Sequence, residues 1–512
     1  MIGCNLWTTM APTRKLAGSS AVMSLVLLAL YLAFPTKVYY WDGIVYAQMI
    51  EDAAAGAKIS LAHPNHLIYG FVGYFLFRTL HVVGINLRAL SVLRILNSVF
   101  SAGCAALLFA ILRDTFRSTY YSVCLTLLFA LSAMWWKFST DANPYIPSVC
   151  FLLLTFYLVL PDRKPAPLPA ALSFVAAICF HELAIMSYPV FALGVYWQEG
   201  PRRSNRGLRN VITFSLVTFG LTAGVYAVLF YESSGEFNVV RLVRWAVLYS
   251  PDADTTFAFW SNLEYSLRGQ VRLFFGGRLN LLHGLMNPII LILIGLFAVS
   301  VLFLAIAALR NVATLRGRWR EARLEPRQKT IFQLASLWLV VYLVFLFFFL
   351  PQNTFYRLFY LPAVILICGV ALAAMTGTKS DSLFTTAVFV CAVGLGNFLF
   401  LIYPLSRVEK YPPLALALQM NRDWPPGTVV YYGTQNSDDR LVRYFTSAST
   451  WQQLPDQFPS ELRESAWLET TAIDRVSSNA EGAQWLKAHG QPATLHELDN
   501  GAYRIRFIRV VP

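Results

Sequence analysis

Residues 67–84 read LIYGFVGYFLFRTLHVVG. The stretch is long and apolar enough to cross a bilayer, yet it carries Arg78 and His81. Its placement sets the side of every later loop. If it crosses, the basic loops Arg113-Asp114-Thr115-Phe116-Arg117 and Asp162-Arg163-Lys164 both fall outside, against the positive-inside rule. If it lies along the outer interface, every basic loop falls inside. Residues 43–54 and 66–84 are therefore expected to form juxtamembrane helices on the outer face.

The rest of the chain fits that frame. Of its 512 residues 56% are hydrophobic and only 13% charged, against about 25% charged in soluble proteins. The apolar runs are continuous and show no dyad alternation, so they predict helices and not barrel strands. The spans expected are 17–35, 92–112, 119–136, 144–160, 168–180, 183–198, 210–231, 284–309, 330–350, 357–375 and 382–404, about 11 in all. Two of them, 168–180 and 183–198, are short for a core about 30 Å thick and flank the polar pair His181-Glu182. Short helices meeting at polar residues are tolerated where they line a protein-covered cavity.

The net charge of +13 does not point to nucleic acid, because the basic residues gather in short loops between spans. Arg202, Arg203, Arg206 and Arg209 share one inner loop, and the segment from Arg310 to Lys329 forms another. Residues 17–35 follow Arg14-Lys15 with no small-residue cleavage site. The first span is expected to be retained, with the N-terminus cytoplasmic and, after an odd number of spans, the C-terminus external. The seven cysteines lie at the N-terminus or in apolar spans, so no disulfide framework is expected. No Asn-x-Ser/Thr acceptor occurs, which fits a bacterial plasma membrane.

Two domains are expected. Residues 1–404 form a membrane domain, with a first external loop at 36–91 and a long one at 232–283. In the long loop, the stretch from Arg241 to Tyr249 and that from Tyr265 to Leu282 are amphipathic and read as interfacial helices. Residues 405–512 are near neutral and read as a small soluble α/β domain. It has strands at 427–432 and 503–508 and a helix at 480–489 ending on Gly490.

Topology then selects the candidate site. Asp42, His63, His66, Asp141, His181, Glu182, Asn353, Tyr356 and Arg357 all fall near span ends on the outer side. Ionisable groups at membrane depth are costly and point to function. A glycosyl transfer needs a carboxylate to deprotonate or orient the acceptor. It also needs donors or cations on the leaving phosphate. Asp42 suits the first role; His63, His66, Tyr356 and Arg357 suit the second. Structural roles exist for each. Asp42 can cap a helix, and His63-Pro64 and His181-Glu182 can be turns. Asp141 can start a helix, Arg357 can snorkel to headgroups, and His63 with His66 can hold a metal.

These residues resemble the GT-C superfamily of polyprenyl-phosphate-dependent glycosyltransferases, closest to the aminoarabinose transferase and protein O-mannosyltransferase branch. The resemblance covers roughly residues 17–404. The aromatic and acidic start of the first external loop is Tyr39-Tyr40-Trp41-Asp42-Gly43-Ile44-Val45-Tyr46. The His-Pro-Pro or Lys-Pro-Pro motif is matched by His63-Pro64-Asn65-His66, with Asn for the second Pro, and Gly84 and Arg94 match loosely. Further on come Phe138-Ser139-Thr140-Asp141-Ala142-Asn143-Pro144-Tyr145 and Arg357-Leu358-Phe359-Tyr360-Leu361-Pro362.

The resemblance implies an inverting transfer from a polyprenyl-phosphate sugar to a lipid, glycan or protein acceptor, with Asp42 as base or acceptor-orienting group. It implies Asp141 as a second catalytic residue, Tyr46, His181, Glu182 and Asn353 lining the cavity, and the loop 232–283 covering it. A divalent metal is possible but not expected, since Asp42 has no DxD partner. A transporter or flippase of lipid-linked sugars is the alternative. It would carry inverted halves and midplane breaks, which the sequence lacks.

Overall fold

The apolar runs fold as helices because a backbone outside water must pair within its own segment. The computed structural model describes residues 11–161, 163–199, 204–247, 258–321, 324–376, 380–433, 437–446, 449–456, 458, 464–499 and 504–511. Asp162, Arg202, Arg203, Leu248, Tyr249 and Tyr503 from the expectations above lie outside the described residues. The chain divides into two compact units, Met1–Pro404 and Leu405–Pro512.

The first unit opens with α1 (Ala11–Ala33) and then turns into two short helices, α2 (Trp41–Ala54) and α3 (Tyr69–Val82). These stand at 43–54 and 66–84, the two segments expected to lie along the interface. The long α4 (Ala89–Phe116) follows, then α5 (Thr119–Ala130), α6 (Ala133–Ser139), α7 (Tyr145–Leu158), α8 (Pro167–Phe180) and α9 (Tyr188–Trp197). Next come α10 (Ser204–Ser234), the shorter helices α11 (Val239–Val247) and α12 (Phe259–Phe274), and α13 (Pro288–Glu321). The unit ends with α14 (Pro326–Phe348), α15 (Leu361–Thr376) and α16 (Ser380–Asn397).

Five helices among the described residues are long and apolar enough to cross a bilayer: Ala89–Phe116, Asn205–Ser234, Pro288–Arg310, Pro326–Phe348 and Leu383–Leu405. The bent pair α5 and α6 makes a sixth. Other expected spans are filled by shorter apolar helices. The expected spans at 144–160 and 168–180 become helices of 14 residues, each about 21 Å long and short of a 30 Å core. The span expected at 183–198 splits into a 3-10 turn, Glu182–Ser187, and the ten-residue α9.

The 70° break between α5 and α6 shows how a kink is made safe. Asn397, 2% exposed, donates to the carbonyls of Leu131 (2.8 Å) and Phe274 (2.7 Å). Its Oδ1 accepts from Gly276 N (3.1 Å). One side chain thus satisfies backbone groups freed in two segments.

The outward faces are apolar. On α13, Ile289, Ile292, Leu296, Val299 and Leu302 are exposed, and on α10, Leu208, Ile212, Leu216 and Val228. Such a surface is an aggregation liability in water and an ordinary surface in lipid.

The second unit holds a five-stranded sheet in the order β2-β1-β3-β5-β4. The strands are β1 (Thr428–Tyr432), β2 (Ser449–Gln453), β3 (Ala466–Glu469), β4 (Gly490–Asp499) and β5 (Arg504–Val510). β1 pairs parallel with β2 and β3, and β5 runs antiparallel to β3 and β4. Trp424, Val430, Trp467 and Phe507 pack in its core, with the two indoles stacked at 4.3 Å. The helix expected before Gly490 is present as Ala480–His489.

Candidate functional site

Asp42 lies in the first turn of α2, where the helix dipole favours a carboxylate. It is not the cap. Tyr40 holds that position, with no side-chain capping bond. Gly43 sets the depth of the helix: a Cβ there would stand 2.4 Å from Ala142 O. The Tyr40 amide donates to Asp141 Oδ2 at 2.9 Å, so the entry to α2 is bonded to the loop before α7.

That loop is itself fixed. Asn97, on α4 and fully buried, donates to the carbonyls of Asp141 (2.7 Å) and Asn143 (2.8 Å). Asn143 Oδ1 accepts from the amides of Tyr145 (3.2 Å) and Ile146 (3.3 Å), satisfying two first-turn donors of α7.

Around Asp42 the side chains form one wall of hydroxyls and imidazoles. Tyr40 and Tyr145 meet hydroxyl to hydroxyl at 2.8 Å. Tyr46, one turn beyond Asp42 and so on the same helix face, meets His66 Nδ1 at 2.6 Å. The rings of His63 and His66 lie 4.9 Å apart, and those of His66 and His181 4.6 Å. His181 continues to Tyr145 at 4.9 Å and to Tyr356 at 5.8 Å. The His63–His66 segment is held from α8 and α10. Glu182 N donates to Asn65 O (3.0 Å), Ile68 N to Cys179 O (3.1 Å), and the Tyr226 hydroxyl to Pro64 O (2.9 Å).

The imidazoles are neutral donors. Burial pushes His63 down to about 4 and His181 down to about 3, and holds His66 well below its usual range. His63 Nδ1 accepts from Asn65 N (3.2 Å) and His181 Nδ1 from Leu183 N (3.1 Å). Each neutral ring therefore carries its proton on Nε2. The Nε2 atoms of His66 and His181 are buried and have no hydrogen-bond partner. Among the described residues no three His, Cys, Asp or Glu side chains are arranged as metal ligands.

The carboxyls are shifted the other way. Burial raises Asp42, partly offset by the Tyr40 hydroxyl, and pushes Glu182 up to about 7. Tyr356 is pushed up to about 12, chiefly by burial, then by the charges of Asp42 and Glu182. Both carboxyls therefore act on the Tyr356 hydroxyl, and the site joins two buried carboxyls to a set of neutral donors.

Three predicted residues stand apart. Asp141 is fully buried with both oxygens engaged: Oδ2 by Tyr40 N and Lys137 Nζ (3.4 Å), Oδ1 by Ala142 N (2.9 Å). Arg357 is 1% exposed and so does not snorkel. It donates to Tyr360 Oη (3.0 Å) and Pro351 O (2.7 Å), beneath α12. Gly269 of α12 makes room for it, since a Cβ there would stand 2.1 Å from Arg357 Nε. Among the described residues no carboxylate pairs with this guanidinium. Asn353 sits in the turn after α14, its amide donating to Leu350 O (2.9 Å), and no contact joins its side chain to the imidazole wall among the described residues.

Asp141→Ala leaves the Tyr40 and Ala142 amides and Lys137 without their acceptor. It is expected to cost about 3 kcal/mol, read as a fall in melting temperature in detergent. Asp141→Asn keeps one acceptor and the shape, and is expected to cost less. Equal melting of Asp141→Ala and wild type would exclude the anchoring role.

The sequence reading passed over Tyr40, Asn97, Asn143 and Tyr145 as site residues. Tyr40 and Tyr145 sit inside quoted motifs, so their signal was available. Asn97 is a lone polar residue in an apolar helix, and nothing local marks what it bonds.

Comparison places this geometry among solved structures. ArnT from Cupriavidus metallidurans bound to undecaprenyl phosphate superposes with a TM-score of 0.60 over 96% of this chain and 97% of that one, at 12% identity. Its apo state gives 0.57 over 98% of each chain, at 11% identity. The chain has an ArnT-like fold. No family model and no curated protein matches it. The ArnT-like fold spans both units, including the C-terminal sheet.

Proposed function

We propose that this chain is a membrane glycosyltransferase that moves a sugar from a polyprenyl-phosphate donor to an acceptor at the outer face of a bacterial plasma membrane. In this reading about 11 spans cross, short ones included, the N-terminus is cytoplasmic and the C-terminal domain external. The observation that carries it is the convergence of Asp42 with Tyr46, His66, His181, Tyr145 and Tyr356 on one buried wall. The solved ArnT with undecaprenyl phosphate supports the donor class.

Asp42 takes the proton of an acceptor hydroxyl as its oxygen attacks the anomeric carbon. The bond from that carbon to the donor phosphate breaks, and the phosphate leaves with the electron pair. His63, His66 and Tyr356 offer uncharged N–H and O–H donors to the departing oxygens. Arg357, a buried cation that no carboxylate pairs with among the described residues, supplies charge from beneath α12. His181 and Glu182 line the cavity.

The test is donor consumption by purified protein in detergent. Consumption supports the enzyme. Donor translocated intact across vesicles, without cleavage, would make the chain a transporter.

Glu182 adds a pH signature. A sugar phosphodiester stays anionic across the neutral range, and the histidines stay neutral above about pH 5 given their lowered values. Glu182, up at about 7, gains its charge as pH rises through neutrality. That charge repels the donor phosphate, so KM for donor is expected to rise above about pH 7, several-fold by pH 8.5. Glu182→Gln is expected to flatten the rise. An unchanged rise in the variant removes Glu182 from the donor pocket.

A further inference from the structure

A second cavity opens where α1 meets α4. It holds about 240 Å³ and is lined by Tyr31, Leu32, Pro35, Ser91, Arg94, Ile95, Ser98 and Thr140. None of these residues belongs to the imidazole wall. The space admits a phosphate with a few waters, each about 30 Å³.

Three features give the cavity a ligand class. Its mouth is apolar and outward facing: Leu32 is 45% and Ile95 40% exposed, with Val99 one turn further along α4 also exposed. Its inner wall carries the Ser91, Ser98 and Thr140 side chains. Its one charged lining group is Arg94, whose Nε is buried and has no hydrogen-bond partner.

The surrounding charge is unbalanced towards positive. Arg94 stacks over the Tyr39 ring at 5.7 Å. Lys37 is held down by burial and by the Arg94 charge. Lys137 bonds Asp141, the one carboxyl that Arg94 also acts on. Lys137 and Arg94 thus share Asp141, Lys37 adds a positive charge beside Arg94, and the open Nε donor of Arg94 recruits an anion. An anion that enters between two membrane helices past Leu32 and Ile95 brings an acyl chain with it.

We infer that the cavity between α1 and α4 binds the phosphate headgroup of a second membrane lipid, distinct from the sugar donor, with Arg94 as its principal ligand. Arg94 reaches the phosphate with its bidentate fork. The Ser91 hydroxyl completes the shell, and the chain leaves along the exposed flank of α1 and α4.

The test uses the full-length protein in detergent, with phosphatidic acid as probe and native mass spectrometry to count bound lipid. Wild type is expected to bind phosphatidic acid at least tenfold more tightly than phosphatidylcholine, and to keep it when saturated with polyprenyl phosphate. Arg94→Gln is expected to lose that preference, and Arg94→Lys to retain part of it. Ile95→Trp narrows the mouth without touching the Arg94 contacts. It is expected to weaken phosphatidic acid as well, with its melting temperature near wild type.

Displacement of phosphatidic acid by polyprenyl phosphate would make the two sites one. Equal competition by inorganic phosphate would make the occupant a free anion and not a lipid. Unchanged lipid preference in Arg94→Gln and Ile95→Trp would overturn the site.

Discussion

Asp42→Asn is expected to retain about a thousandth of wild-type donor turnover or less, with polyprenyl-phosphate binding kept. General-base catalysis contributes about 10²- to 10⁴-fold, so a loss near the middle of that range corresponds to about 4 kcal/mol of transition-state stabilisation. The amide has the size of the carboxyl, so Tyr40 and the Gly43 packing are undisturbed, but it cannot take the acceptor's proton. The stability effect runs the opposite way. Burial raises Asp42 above its unfolded value. A carboxyl with a raised folded pKa adds most stability while protonated, and that contribution falls as pH rises through the folded value. Folding disfavours the ionised carboxylate relative to water, so Asp42→Asn is expected to melt at or above the wild-type temperature. Such a trade of stability for activity is common at catalytic groups. Two assays decide it: turnover, and melting in the same detergent. A variant that consumes donor within a few-fold of wild type takes the base role away from Asp42. Joint loss of turnover and melting temperature would make it a structural residue.

The parts of this site that were legible share a cause. The segments read as 43–54 and 66–84 fold as the separate helices α2 and α3, both too short for a bilayer core. The His181-Glu182 pair is visible because it interrupts an apolar run at a length too short to span. Both signals are local or additive along the chain.

What stayed hidden depends on partners far away in sequence. Residues 119–136 read as one apolar run with no Gly or Pro, yet the chain breaks at Leu131-Ser132 because Asn397 waits 266 residues away to bond the freed carbonyl. Asn97 is hidden for the same reason, since its partners are carbonyls 44 and 46 residues on. Arg357 reads as a cavity-facing cation, but the 3-10 turn Phe355–Phe359 directs it beneath α12 while Tyr356 faces the imidazole wall. Neighbours in sequence diverge there because a 3-10 turn advances about 120° per residue. Asp141 has the residue type of a catalyst and the hydrogen bonds of an anchor.

Gly43→Val is expected to remove both fold stability and activity, and the reason lies in what stands opposite it. A Cβ at 43 would sit 2.4 Å from Ala142 O and 2.9 Å from Ala142 Cβ, closer than real atoms approach. Those atoms cannot retreat. Asn97 holds the carbonyls on both sides of Ala142, and Asp141 Oδ1 holds the Ala142 amide. Because the loop is fixed, α2 has to move, and it carries Asp42 and Tyr46 with it. Overpacking costs about 1–3 kcal/mol and sometimes more, so Gly43→Ala is placed at about 2 kcal/mol and Gly43→Val at about 3 kcal/mol or beyond. Displacing a reacting group by about 1 Å can cost 10²-fold in rate, and a comparable loss of turnover is expected in whatever Gly43→Val protein folds. Gly224 supplies the contrast. It lies within α10 with nothing within 4 Å of an added Cβ, so Gly224→Ala is expected to leave turnover unchanged and raise stability by up to about 1 kcal/mol through helix propensity. Melting temperature and donor turnover of the three variants separate the cases. Gly43→Val that melts and turns over like Gly224→Ala would mean that the loop at Ala142 yields, and that Asp42 owes its position to something other than this contact.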